Sequence, residues 1–460
     1  MEPFAALVLA AGKSTRMKSQ TSKLLHSVAG MPIIQRVARL VGDLGAEKVA
    51  LVVSHQKEAI FSAFSEHFPG AFMVDQGDPR GTGHAVQKGM EVLVDFPGDV
   101  LILAGDVPLL RLDTLRRFVD LHRNSAALLS VMTMEPAEPH GYGRMVRHEQ
   151  TGRVERIVEQ RDLPEHLLGI EECNGGIYLV KGTWLQTQIS RLGTDNSQRE
   201  LYLTDLVEMV PKNEVITTLL VPEEELLGVN TRGHLAQAEA VAQKRLSERH
   251  MAGGVTFTSP GTVSLHEMVT IGKDTIIHNG VSLRGTTSVG EACVIDQGSV
   301  LTDAVVADHV IIKPYTVVER STVESRGEIG PFSHLRPHTL VMSGARVGNF
   351  VECKKTTLRE GVKANHLSYL GDADVGAGSN IGAGTITCNY DGKNKFQTII
   401  EEGVFIGSDS QLIAPVRVGA GAYVGTGTTV FSDVPPGALA VNPKKQHMVG
   451  NFIPPKERNK

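Results

Sequence analysis

Several things are scarce in this sequence. It has four cysteines, Cys173, Cys293, Cys353 and Cys388, widely scattered and with no CxxC pair. That spacing argues against a disulfide framework or a zinc site and fits a reducing cytoplasm. Aromatic residues are few, with 14 Phe, 7 Tyr and 1 Trp. An excess of positive charge is missing too, since 51 acidic against 46 basic residues leave a formal charge of −5. A protein held on nucleic acid by phosphate contacts leans the other way, so no nucleic-acid partner is expected. Long apolar runs are lacking as well. Phe4 to Ala11, the longest near the start, is far too short to cross a membrane. Met1-Glu2-Pro3 ahead of it lacks the basic stretch of a secretory leader. At 460 residues the expectation is a cytoplasmic, membrane-free globular protein of more than one compact unit.

Glycine, by contrast, is abundant at 48 residues, and much of the surplus lies in the second half. In the first half, strand-like and helix-like segments alternate. Phe4 to Ala11, Val49 to Val53 and Val100 to Ala104 are continuous apolar runs of the kind buried parallel strands show. Pro32 opens a segment in which Ile33, Ile34, Val37, Leu40, Val41 and Leu44 recur at helical spacing. Val86, Met90, Leu93 and Val94 outline another helical face. This alternation predicts a Rossmann-like α/β domain over residues 1–229, its site at the carboxyl ends of the strands. From Val255 the helical period vanishes and aliphatics recur every six residues. One run is Ile271, Ile277, Leu283, Val289, Ile295, Leu301; another is Val323, Ile329, Leu335, Val341, Val347, Cys353. Such a hexapeptide repeat predicts a left-handed parallel β-helix over 251–460. Gly272, Gly290, Gly330, Gly348, Gly376, Gly382, Gly407, Gly419 and Gly425 are expected at its corners. Between the halves, Leu235, Ala238, Ala242 and Leu246 form one apolar stripe that Gly253-Gly254 ends, predicting a linker helix over 230–250. The basic, proline-containing stretch from Lys444 is expected to be a mobile tail.

Leu9-Ala10-Ala11-Gly12-Lys13-Ser14-Thr15-Arg16-Met17 follows the first strand, with Lys23 shortly after. A turn of small residues lets backbone amides approach a phosphate, and Arg16 and Lys23 add positive charge. Val100 to Ala104 runs into Gly105-Asp106-Val107-Pro108, which puts a carboxylate, a natural Mg²⁺ ligand, at a strand's carboxyl end. Taken alone, Asp106 also reads as a turn residue or a helix cap. Gln76 and Gly81-Thr82-Gly83-His84 open a helix whose N-terminus suits a base or phosphate, with His84 reading as structural. The first string resembles the LAAGxGTRM signature of sugar-phosphate nucleotidyltransferases. Ser14 stands where that family usually has Gly, and Ser22 where it usually has Pro. In order, and together with the six-residue repeat, these strings resemble the bifunctional bacterial UDP-N-acetylglucosamine pyrophosphorylase and glucosamine-1-phosphate N-acetyltransferase family, from about Leu7 to about Ala440. The resemblance implies a uridine site of Leu9, Ala10, Ala11, Gly12, Lys23, Gln76, Gly81 and Thr82. It places the sugar near Gly143, Glu159 and Asn174, and Mg²⁺ on Asp106 and Asn230.

A hexapeptide β-helix does not by itself carry an activity, so the informative residues are those that break the repeat. They are His334-Leu335-Arg336-Pro337, Asn349 to Lys355, Asn365 to Asp372, and an insertion from Cys388 to Phe396 that delays the next rung to Ile400. Basic residues near a histidine and an amide-rich loop suit a sugar phosphate beside a general base; a solvated loop with surface charges fits the same residues. The resemblance implies that His366 deprotonates the sugar amine and that Arg336, Lys354, Tyr369 and Asn380 hold the sugar phosphate. It assigns Ala383, Asn389, Tyr390, Ser408 and Thr426 to acetyl-coenzyme A, with Thr426 where a small apolar residue is more usual. Near Asn442-Pro443-Lys444, where the family can supply an arginine for the cofactor phosphates, this chain offers Lys444. A homotrimer with acetyl-transfer sites between neighbouring β-helices is implied as well. So are the substrates glucosamine 1-phosphate, N-acetylglucosamine 1-phosphate, UTP and acetyl-coenzyme A, the product feeding peptidoglycan and lipopolysaccharide synthesis. Other readings compete. One is a single-activity nucleotidyltransferase whose β-helix only oligomerises or binds an effector; others are a non-catalytic translation-factor subunit and an inert solenoid. His366, Arg336 and Lys354 weigh against the first, the loop with Arg16, Lys23 and Asp106 against the second, and the whole first half against the third.

Overall fold

The computed structural model describes residues 3–12, 14–443 and 445–454. The readings at Lys13 and Lys444 therefore lie outside the described residues, as does part of the expected tail. Contacts divide the chain into two units, Met1–Arg245 and Leu246–Lys460.

In the first unit β1 (Phe4–Ala10), β2 (Lys48–Val53), β3 (Phe72–Asp75) and β4 (Asp99–Ala104) are parallel, in the spatial order β4-β1-β2-β3. Leu7 lies opposite Ala50 on one side and Ile102 on the other, all three fully buried. Burial on both faces of the sheet is why these runs show no polar alternation. Beyond β4 the direction changes. The strand β6 (Cys173–Lys181) lies between β4 and β5 (Leu129–Met134) and runs antiparallel to both. Leu9 sits opposite Ala104, so the loops that leave the carboxyl ends of β1 and β4 emerge side by side. Of the helices, α1 (Ile33–Leu44) follows the expected apolar face, with Ile33, Ile34, Val37, Val41 and Leu44 buried. The helix α2 (Thr82–Met90) stops earlier than the pattern predicts, and Val94, past its end, is exposed.

The helix α3 (Arg232–Ala252) is more than a spacer. Glu239 Oε2 accepts the Ala29 N–H at 2.7 Å, and Arg245 donates to Leu109 O at 2.5 Å and to Glu224 at 2.8 Å. Those bonds belong to the first unit, so the division of contacts falls inside the helix, between Arg245 and Leu246.

The second unit is a stack of three-faced coils, most of them built from short strands of two or three residues. Ile277 pairs with Ile295, Ile295 with Ile312, Ile312 with Ile329, Ile329 with Val347, and Val347 with Ala364, all in parallel. The six-residue repeat thus becomes buried aliphatic columns, one per face. The insertion after Cys388 lengthens one coil, so that Ile381 pairs with Ile406. Buried hydroxyls tie coil to coil: Thr275 donates to Gly290 O at 2.8 Å and Thr356 to Leu370 O at 2.7 Å.

The corner glycines differ from expectation. Of those named, only Gly330 has a positive φ, +98°. The others face the next coil. A Cβ on Gly348 would stand 1.8 Å from Asn365 O, and one on Gly382 2.6 Å from the Gly407 carbonyl carbon. Close stacking of backbone on backbone demands glycine there, rather than a left-handed turn. Several left-handed corners are instead occupied by bulky side chains: Tyr315 (φ +57°), Phe332 (+54°), Phe350 (+60°) and Leu367 (+35°). The three rings stack outside the coils with centroids 5.3 and 5.6 Å apart, and all four side chains are at least half-exposed.

Candidate active sites

A cavity of about 390 Å³ opens where β1 and β4 end. Leu9, Ala10, Ala11 and Gly12 line it, with Lys23, Gln76, Gly81, Thr82, Asp106, Glu159 and Asn174. Gly105 N–H donates to Leu9 O at 2.8 Å and Val229 N–H to Asp106 O at 2.9 Å, which ties the two strand-end loops to the segment before α3. Lys23 Nζ donates to Asp106 Oδ2 and, at 2.7 Å, to Asn230 Oδ1. Residues far apart in sequence therefore meet on one ammonium.

The rest of the cavity is polar and held in place. Gln76, only 4% exposed, donates to Gly81 O at 3.2 Å. His84 lies 3.3 Å from Gln76 Nε2 and 3.1 Å from Arg80, so it props Gln76; burial and the Arg80 guanidinium lower its pKa. Glu159 accepts the Thr204 hydroxyl at 3.2 Å, and burial, aided by Asp205 and Asp162, outweighs that bond and raises its pKa. Asn174 donates to the Tyr178 hydroxyl at 2.7 Å, and its N–H donates to Gly143 O at 2.8 Å. Arg16 is exposed and does not line the cavity. Ala104, Tyr178 and Thr204 do line it and were not picked out from sequence. Ala104 is the last residue of an apolar run already read as pointing at the site, whereas no local pattern marks the other two.

On the coiled unit, the strands Arg346–Lys354 and Lys363–Gly371 are long enough to turn a corner and belong to two faces. Glu352 pairs with His334 on one side and with Tyr369 on the other, which brings Arg336, Lys354 and Tyr369 onto one face. Arg336 donates to Glu352 at 2.8 Å, which holds its pKa up. Beside Lys354 the Lys395 ammonium lowers the Lys354 pKa, with burial acting in the same direction. Asn389 Nδ2 donates to Asp372 at 2.5 Å. His366 sits at the corner and is exposed, with Nδ1 3.3 Å from Asn349 Oδ1, its register partner one coil earlier. An amide oxygen only accepts, so the tautomer that makes this bond carries its proton on Nδ1 and leaves the Nε2 lone pair facing out from it. Asn380 pairs with Lys363 and Phe405 and so lies on the adjoining face, not beside Arg336. Ala383, Ser408 and Thr426 follow Ile381, Ile406 and Val424, which pair with one another, and so stack coil on coil. Tyr390 is exposed at the mouth of the insertion. Asn349, Glu352 and Lys395 lie within the strings that the sequence singles out, but none had an individual role assigned. The first two carried a usable signal, since they stand one coil length, 17 residues, before His366 and Tyr369.

Residues 6–167 match the MobA-like NTP transferase domain, and residues 397–432 match the bacterial transferase hexapeptide family (six repeats). The chain is 49% identical to the bifunctional protein GlmU of Anaeromyxobacter sp. (strain Fw109-5) over 447 residues, 96% of this chain and 91% of that one. It is 45% identical to the bifunctional protein GlmU of Pelobacter propionicus (strain DSM 2379 / NBRC 103807 / OttBd1), over 96% of each chain. The figure for the bifunctional protein GlmU of Geobacter sulfurreducens (strain ATCC 51573 / DSM 12127 / PCA) is 42%, again over 96% of each.

Proposed function

The chain belongs to the bifunctional GlmU family, and from that premise we propose that it makes UDP-N-acetylglucosamine in two steps. Acetyl-coenzyme A first acetylates the amine of glucosamine 1-phosphate. The phosphate of N-acetylglucosamine 1-phosphate then attacks the α-phosphorus of UTP, and pyrophosphate leaves. One observation carries this reading: a chain matched over nearly its whole length by bifunctional relatives holds Lys23 on Asp106 and Asn230 at the strand-end loops of one unit, and carries His366, Arg336 and Lys354 on the coils of the other.

For acetyl transfer, a protonated amine has no lone pair to attack a thioester. His366 Nε2, left free by the bond from Nδ1 to Asn349, takes that proton as the nitrogen attacks the carbonyl carbon. The carbon–sulfur bond breaks with its electron pair on sulfur, and coenzyme A departs as the thiolate, which takes up the second proton the nitrogen sheds as the amide forms. Arg336 and Lys354 hold the sugar phosphate with Tyr369 beside them on the same face, Asn380 serves the sugar from the adjoining face, and Ala383, Asn389, Tyr390, Ser408 and Thr426 receive acetyl-coenzyme A.

For uridylyl transfer, the backbone of Leu9 to Gly12 and the Lys23 ammonium bind the triphosphate, Gln76, Gly81 and Thr82 the base, and Gly143, Glu159 and Asn174 the sugar. Asp106 Oδ2 and Asn230 Oδ1 already converge on one cation, the Lys23 ammonium, so they fit Mg²⁺ as well. Two protein oxygens completed by phosphates and water make a donor set that Mg²⁺ favours. Bound there, it supplies neutralising charge as the phosphates rearrange.

The assembly we assign is a homotrimer. Its support is the half-exposed ridge of Tyr315, Phe332, Phe350 and Leu367 beside His366, together with an acetyl site whose residues lie on open faces. Four free cysteines support a cytoplasmic setting, where the product supplies cell-wall and lipopolysaccharide synthesis. No helix among the described residues is long and apolar enough to cross a membrane.

The test is incubation with glucosamine 1-phosphate, acetyl-coenzyme A, UTP and Mg²⁺. UDP-N-acetylglucosamine, free coenzyme A and pyrophosphate are the expected products, and chelation of the metal should stop only the second step. Either half-reaction alone would reduce the chain to a single-activity enzyme.

A further inference from the structure

The two places where the phosphate loop departs from the nucleotidyltransferase signature, Ser14 and Ser22, belong to one hydrogen-bonded clamp. Ser14 is left-handed, φ +56°, and its hydroxyl accepts the Lys23 N–H at 3.2 Å. Ser22 donates its N–H to Gln56 Oε1 at 2.9 Å, and Gln56 Nε2 donates back to Gln20 O. A carboxamide carries the acceptor and the donor that this bridge needs, and glutamate has only acceptors. Gln56 is itself left-handed, φ +51°, at the N-cap of the helix Lys57–Ser65. That region disfavours a long side chain and suits glycine or asparagine. The residue is exposed and does not line the cavity, so neither burial nor substrate contact accounts for it. What it does is hold the loop at the residue preceding Lys23.

We propose that Gln56 and Ser14 are positioning residues for uridylyl transfer. They fix the backbone on either side of the Ser22–Lys23 bond so that the Lys23 ammonium is delivered to the phosphate site beside Asp106 and Asn230. The proposal rests on the reading of Lys23 as part of the phosphate site. It also accounts for serine at 22. The backbone there, φ −54° and ψ 141°, is one that proline adopts, and proline would hold mechanically what Gln56 holds by hydrogen bonding.

The decisive variant is Gln56→Gly, because it relieves the backbone while removing the clamp. Its thermal midpoint should equal or exceed that of the parent, and acetyl transfer should be unchanged. Uridylyl transfer should lose about 10-fold in kcat/KM for UTP, mainly through KM, the size expected for two modest hydrogen bonds. Adding Ser22→Pro to Gln56→Gly should restore most of that loss. Lys23→Met is measured in parallel to separate the two levels. Full uridylyl activity in Lys23→Met would overturn the reading of the phosphate site, and the clamp with it. An inactive Lys23→Met beside an unimpaired Gln56→Gly, or a loss that Ser22→Pro does not repair, would overturn the clamp alone.

Discussion

Asn349 Oδ1 stands 3.3 Å from His366 Nδ1 and, as an acceptor, orients the ring through an Nδ1 proton. His366→Ala should lower acetyl-transfer turnover by about 10²- to 10⁴-fold with little change in KM for the sugar phosphate. Asn349→Ala keeps the base but frees its tautomer, so a smaller loss is expected. Uridylyl transfer from supplied N-acetylglucosamine 1-phosphate is the internal control, and near-normal acetyl transfer by His366→Ala would sink the assignment. Lys354 makes a different kind of claim. The neighbouring Lys395 ammonium puts its pKa below the ordinary lysine value of 10.5. As pH rises, Lys354 therefore loses its charge sooner than a free lysine, and KM for glucosamine 1-phosphate should climb on the alkaline side before pH 10.5. Removing the like charge with Lys395→Met raises the Lys354 pKa, so that limb should move to higher pH. A limb that stays put belongs to another group.

At the scale of elements, the coils make their own test. Gly348 lies in the strand that carries Asn349, and a Cβ there would meet Asn365 O, backbone that cannot swing aside, at 1.8 Å. Gly348→Ala should force neighbouring coils apart, destabilise the β-helix by about 1–3 kcal/mol or more, and displace His366 from Asn349. Calorimetry of the coiled unit and the acetyl-transfer rate should fall together while uridylyl transfer persists. Gly344 is the contrast: a Cβ there meets nothing within 4 Å, but φ is +68°, so Gly344→Ala pays only for a left-handed backbone, about 1–2 kcal/mol. If the two variants behaved alike, coil stacking would not be what demands glycine at 348.

At the scale of the whole molecule, the helix Arg232–Ala252 sets where the chain can be cut. Truncation after 229 removes Asn230, which meets Lys23, and Arg245, which donates to Leu109 O. Residues 1–229 should therefore lose uridylyl transfer, while residues 1–252 should fold, stay largely monomeric in light scattering and keep it; equal activity in both pieces would contradict this. The same helix shows where sequence reading stops. An aliphatic residue every six positions determined the coiled half by itself, because only a chain that returns its faces at a fixed short interval buries such a pattern. The apolar runs ahead of Gly12 and Asp106 likewise placed both loops at strand ends, since a doubly wound sheet opens its crevice there. Asn349 and Glu352 were legible in principle, one coil length ahead of His366 and Tyr369. The meeting of Lys23 with Asp106 and Asn230 spans 83 and 207 positions, and no local period records such a distance; the resemblance named Asp106 and Asn230, but only the packed sheet and helix show the shared ammonium. The same holds for Gln56 on the phosphate loop and for Tyr178 and Thr204 in the cavity. Local spacing encodes which face of an element is buried, and tertiary packing alone decides which buried faces meet.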